Sequence, residues 1–247
     1  YNLSLQDLIR QLAKTHLVEA VTESNESWGH VNVFLTDIVK HDDKAGKTVQ
    51  RMVKNNMSED EVQLGPDQHI TADVPTEIDI VVLASGNLGL VYGTRREERI
   101  TQEELEMRFP GLLAGLVAHE GIGWVMVKSA KEGPVVVGKN GRYYLASGKI
   151  EGDNPLAGFG SNAVNHLLRY DGFPDAPDLY INSFYDAEKN EVAAFEELIG
   201  CHGGMGGYQT QPFLLYPSDL QLAEPELIGA PAVYRQLKEW LRQTQGA

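Results

Sequence analysis

Ile78-Asp79-Ile80-Val81-Val82-Leu83-Ala84-Ser85-Gly86-Asn87-Leu88-Gly89 is the stretch on which the fold turns. Ile78 to Ala84 is dense in β-branched residues and reads as a buried strand. Ser85-Gly86-Asn87-Leu88-Gly89 then reads as a tight loop at its carboxyl end, where open α/β sheets place their chemistry. The loop lacks the G-x-G-x-x-G spacing of a dinucleotide site, a Gly-Lys-Ser/Thr, and the G-x-S-x-G frame of a nucleophilic serine. Ser85 and Asn87 are its candidate substrate-binding residues, as donors to an anionic oxygen. The bland reading is a strand terminus.

Further strands follow the same apolar pattern at Gly123–Lys128 and Asp178–Ser183, and a third is expected near Val192. Helices alternate with them. Leu5, Leu8, Ile9, Leu12, Leu17 and Val18 recur at helical spacing and predict a helix over residues 4–20 with Ser4 as N-cap. Thr101-Gln-Glu-Glu104 is a capping box opening a helix to about Phe109, and Leu112–His119 and Asn162–Tyr170 continue the pattern. A C-terminal amphipathic helix over 231–243 places Val233, Leu237, Trp240 and Leu241 on one side. Pro134–Gly138 and Tyr143–Leu145 flank Lys139-Asn140-Gly141, a hairpin signal. The expectation is an α/β fold with a mostly parallel sheet flanked by helices and a small antiparallel hairpin.

The 247 residues, 42% apolar, suffice for a core. A formal charge of −14, with no dense basic block, argues against nucleic acid as a partner. The one cysteine, Cys201, excludes an internal disulfide framework. The apolar run Ile78–Tyr92 is too short and polar to span a bilayer as a helix. A soluble domain with no membrane contact from this segment is expected. Residues 40–75 are charged and read as a loop-rich insertion. The start at Tyr1 reads as the start of a piece of something longer.

Among residues that carry chemistry, Glu196-Glu-Leu-Ile-Gly-Cys-His202-Gly-Gly-Met-Gly-Gly207 is the most informative. Glycines beside a histidine let the backbone approach a ligand and leave the imidazole exposed, and imidazole is a common metal ligand. His202 is the candidate metal ligand; the competing reading is a turn with His202 bonded locally. A nucleophilic Cys201 would need His166 or His119 within reach of its sulfur. His41-Asp42-Asp43 and Asp67-Gln-His69 read as solvated surface, His119 and His166 as structural, and Asp178 as the least idle of several turn-capping aspartates. No catalytic residue is assigned.

Read together, Ile80–Tyr92, His119–Val127, Gly133–Gly141, Pro177–Tyr185, Cys201–Gly204 and Gln209–Pro217 resemble the C-terminal half of bacterial proteins of the alkaline phosphatase superfamily, on the type I phosphodiesterase/nucleotide pyrophosphatase side. The resemblance implies an α/β/α sandwich of which residues 1–247 are the incomplete C-terminal portion. It implies a membrane-anchored parent that hydrolyses a small phosphate ester with two zinc-like divalent ions. His202 would be the last metal ligand, with Cys201 where the family carries serine. The nucleophile and remaining ligands would lie in an N-terminal half, itself an expected partner, so this chain by itself would be inactive. The alternative is a non-catalytic binding or regulatory domain that keeps the hydrolase fold.

Overall fold

A computed structural model describes residues 3–15, 17–22, 57–58, 61–62, 79–96, 98–195 and 201–245. Helix α1 (Leu5–Ala13) begins where Ser4 Oγ accepts the Asp7 N–H at 3.1 Å. It stops at Lys14, whose φ of 53° is left-handed. Strand β1 (Val18–Thr22) follows, so Leu17 and Val18 lie outside the helix that spacing predicted for 4–20. The pairs β2 (Met57–Ser58) and β3 (Glu61–Val62) form a separate two-strand ladder.

The main sheet takes its identity from the quoted stretch. β4 (Ile80–Ser85) and β5 (Leu88–Gly93) are antiparallel partners, with Ser85 opposite Leu88 across a two-residue turn. Gly86 holds a φ of 55° at the first central position, as in a tight hairpin turn that needs glycine there. What reads as a loop leaving a strand is therefore the tip of a hairpin. Next come α2 (Gln102–Arg108), α3 (Leu112–Ala118), β6 (Ile122–Ser129), β7 (Gly133–Gly138), β8 (Gly141–Tyr144) and β9 (Lys149–Gly152). They are followed by α4 (Ala163–Asp171), β10 (Leu179–Ser183), the short pair β11 (Tyr185–Asp186) and β12 (Glu191–Val192), and α5 (Gly229–Gln245).

The strand order is β1-β4-β5-β10-β6-β7-β8-β9. β1 runs parallel to β4; every other neighbouring pair is antiparallel. This overturns the mostly parallel sheet and, with it, the resemblance to the alkaline phosphatase superfamily, whose sheet is parallel. The physical reason is burial on both faces. β10 is buried at all five residues, sending Leu179 and Ile181 to one side and Tyr180 to the other. A strand covered on both faces is apolar throughout whichever way its neighbours run, so composition does not reveal direction.

One face carries the larger core, where α1, α2 and α3 contribute Leu8, Ile9, Leu105, Leu112 and Leu116 against Val82, Val125 and Ile181. The second face holds a smaller cluster of Trp124, Met126, Val136 and Tyr180 under Leu156 and, from α4, Ala163 and Leu167. The expected Lys139-Asn140-Gly141 hairpin is present, joining β7 to β8. In α5 the buried residues are Ala232, Gln236 and Trp240, whereas Leu237 and Leu241 face outward, contrary to the apolar side drawn from the sequence. Among the described residues no helix is long and apolar enough to cross a membrane.

Candidate functional site

The β4–β5 turn and the glycine-rich segment after Cys201 meet at one end of the sheet, the end at which Leu88 pairs with Asn182 and Ser183 with Ile122. The approach is backbone against backbone. Asn87 N–H donates to the His202 carbonyl at 3.1 Å, and a Cβ on Gly86 would lie 2.3 Å from that oxygen. Only a residue without a side chain fits there. Phe195 N–H donates to the Gly86 carbonyl at 2.7 Å and Ser183 N–H to the Asn87 carbonyl at 3.1 Å, so three chain segments converge on the turn.

Two asparagines with no solvent exposure complete the junction. Asn87 Nδ2 donates to the Met205 carbonyl at 3.1 Å while its Oδ1 accepts the Gly204 N–H at 2.9 Å. Asn182, the fourth residue of β10, donates to the Met205 carbonyl at 3.0 Å and accepts the Met205 N–H at 2.6 Å. Asn182 Nδ2 also reaches the Ser183 carbonyl at 3.0 Å. A buried amide is costly unless its polar atoms are used, and here they are used on the backbone of one distant loop. A Cβ at Gly204 would stand 2.7 Å from Asn87 Nδ2 and 2.8 Å from Asn182 Oδ1, so that glycine is the fit between loop and pins.

The structure thus brings the three sequence candidates to one place. Ser85 ends β4, its carbonyl 3.2 Å from a Cβ built on Gly203. Asn87 is buried and engaged with the loop backbone, which is a positioning task. His202 is exposed at the loop's outer edge and does have an interaction of its own. Cys201 beside it is half-buried, and burial pushes its thiol up, only partly offset by the His202 N–H. A thiol raised in this way is less ionised at neutral pH than a free one, the reverse of an activated nucleophile. His119 sits at the end of α3, accepting the Gly121 N–H through Nδ1 at 3.1 Å, and His166 lies on exposed α4 surface.

The metal-dependent phosphodiesterase reading, including its membrane and metal-binding attributes, does not survive this geometry. It rested on the parallel-sheet fold, and among the described residues no three His, Cys, Asp or Glu side chains gather as a cation site. The alternative of a binding domain that keeps the hydrolase fold falls with that fold. His16, His30, His41, Asp42, Asp43, Asp67, His69, Glu196 and Glu197 lie outside the described residues. Asp178 proves structural: Oδ2 accepts the Gly93 N–H at 2.6 Å and Oδ1 the Ile100 N–H, tying β5 to the segment before α2.

Sequence reasoning missed Asn182 and Met205. The available signal was an asparagine at the end of an otherwise apolar strand, a polar group that burial obliges to find partners. Beyond Met205 the chain makes a single turn over Tyr208–Thr210, stabilised by Gln209 Nε2 to the Gly206 carbonyl at 2.9 Å and Thr210 Oγ1 to the Gly207 carbonyl at 2.8 Å. It is caught again at Tyr216, whose ring stacks on Trp240 of α5 at 4.6 Å. Between those two anchors Tyr208, Phe213 and Leu215 are 76%, 88% and 94% exposed. Searches against protein-family models, curated proteins and solved structures return no match to this chain.

Proposed function

We propose that the chain is a recognition domain that binds a protein partner through the Cys201–Tyr216 segment. One observation carries this reading: large apolar side chains are held out to solvent on a segment fixed at both ends. Exposed Tyr208, Phe213 and Leu215 sit between a base pinned by Asn87 and Asn182 and a far end clamped at Trp240. Aromatic anchors that reach into a partner's pockets dominate binding energy at protein interfaces. Fixing them beforehand lowers the ordering cost of association. The partner's chemistry follows from charge. With a net −14 and Asp219, Glu224 and Glu226 following the segment in sequence, the complementary surface is an apolar depression with a basic rim.

The test is site-specific photo-crosslinking in the native host, with the reactive residue at Phe213 or at Lys131. Lys131 is an exposed turn residue beyond Ser129, at the opposite end of the sheet. A discrete adduct from position 213 that is absent from position 131, and lost with Tyr208→Ser plus Leu215→Ser, is the expected result. Equal labelling at the two positions sinks the proposal.

A further inference from the structure

Helix α5 (Gly229–Gln245) is secured along one side. Ala232, Gln236 and Trp240 are buried there, and both Gln236 Nε2 and Trp240 Nε1 donate to the Gln221 carbonyl. On another side Tyr234, Leu237 and Leu241 are 62%, 49% and 53% exposed. They stand at i, i+3 and i+7, so the helical period gathers them into one narrow stripe along two turns. That spacing is the a-d-a of a heptad, the seam along which a second helix packs. The contacts on the buried side hold the helix and leave the stripe ordered and facing solvent.

The flank of the stripe is basic. Arg235, Lys238 and Arg242 are all exposed, and Lys238 Nζ lies over the Tyr234 ring at 5.6 Å. Glu239 is the one acid on the helix, and Arg242 meets it at 2.9 Å. Among the described residues no carboxylate lies in ion-pair range of Arg235 or Lys238. On a chain of formal charge −14, α5 is thus a local exception with a surplus of positive charge. Charges beside a helix seam select the partner by sign. A second copy of α5 brings the same basic flank, with its one acid already engaged. An anionic membrane would face the acidic body of the chain as well as the helix, and would repel it. A single acidic helix meets α5 alone.

We propose that α5 docks an acidic amphipathic helix of a partner protein, its apolar side chains packing on Tyr234, Leu237 and Leu241 and its carboxylates facing Arg235 and Lys238. This face is distinct from the exposed side chains of Cys201–Tyr216 and calls for a partner of the opposite charge, so it stands whether or not that reading holds.

The experiment is calorimetric titration of the whole chain with a lactam-bridged helical peptide. The peptide carries leucine at the a and d positions of two heptads and glutamate beside them. Saturable binding at about 1 mM or tighter is expected. The same peptide with glutamine for glutamate should bind about three- to tenfold more weakly. Leu237→Ser should abolish binding, and Lys238→Glu should reverse the order of the two peptides. Both positions are exposed, so both variants should keep the parental thermal transition. Should Leu237→Ser fail to fold, Tyr234→Ser takes its place with the same loss expected. Absence of saturation, equal binding of the glutamine peptide, or undiminished binding by the folded serine variant would each overturn the proposal. So would two other outcomes. Co-sedimentation with anionic phospholipid vesicles that Leu237→Ser abolishes would assign the stripe to a lipid surface. A dimer of the chain that Leu237→Ser dissociates would assign it to a second copy.

Discussion

Asn182 faces Met205 with both ends of its amide, and Asn87 faces Gly204 and Met205 in the same way. Replacing Asn182 with alanine leaves the Met205 N–H without its acceptor in a buried setting. The expected loss of stability is about 1–3 kcal/mol in urea unfolding. The 201–207 loop should at the same time become the first site of proteolytic cleavage. Unchanged cleavage would mean that the loop is held by something else. Asp178 permits a prediction with a definite sign. Burial raises its carboxyl above the ordinary value, outweighing the Gly93 and Ile100 N–H bonds and nearby Arg99. A raised folded-state value means a contribution present below the unfolded value of 3.8 and lost as pH rises through the folded one. The wild-type minus Asp178→Asn difference in unfolding free energy should therefore fall with rising pH just above the ordinary carboxylate range. A difference that rises there would contradict the burial argument.

Helix α2 illustrates how an element can be specified locally. Thr101 Oγ1 accepts the Glu104 N–H at 3.3 Å, and Glu104 Oε2 accepts the Thr101 N–H at 3.0 Å, the reciprocal box read from the sequence. Those bonds, the Thr101 N–H first and Arg96 next, hold the Glu104 carboxyl down at about 2 from an ordinary 4.5. The linkage sign is opposite to that of Asp178: protection of α2 is full above 4.5 and declines as pH falls toward about 2. Amide exchange in α2, compared between wild type and Glu104→Gln over that window, should show the decline in wild type only. At the other end of the chain, α5 is secured by a small set of contacts. Trp240 Nε1 donates to the Gln221 carbonyl at 2.7 Å, Gln236 bonds both Gln221 and Ala223, and Tyr216 stacks on Trp240. Trp240→Ala should release this clamp at a cost of about 3–5 kcal/mol to the local unit. Early exchange in α5, with β6 and β10 still protected, is the expected pattern; loss of the whole sheet would show that α5 is integral to the core.

At the scale of the molecule, an acidic body carries an exposed apolar segment at one end of a sheet that is antiparallel except for the β1–β4 pair. Association with a basic-rimmed partner should slow as salt rises, with the effect concentrated in the on-rate. Stopped-flow association between about 20 and 300 mM salt, a range over which the screening length changes severalfold, measures it. A salt-independent on-rate would remove the electrostatic half of the partner assignment.

Local instructions were legible in the sequence because their causes lie within a few residues. The Ser4 cap, the Thr101 capping box and the Asn140-Gly141 hairpin needed only neighbours along the chain, and each formed where it was read. Gly86-Asn87 was a signal of the same kind. A glycine-led pair between two apolar runs marks a hairpin, but the length and apolarity of Ile78–Ala84 suggested a parallel strand instead. Strand direction, the burial of both faces of β10 and the seat of α5 depended on which segments became neighbours. So did the meeting of Asn87, Asn182 and Met205, whose side-chain bond spans 118 positions from Asn87. Residue types and spacing determined the caps, the tight turns and the apolar runs; only the tertiary structure decided where α1 gives way to β1, that Leu88–Gly93 is a strand, and which segments pair, because burial acts on contacts between distant segments that linear order does not contain.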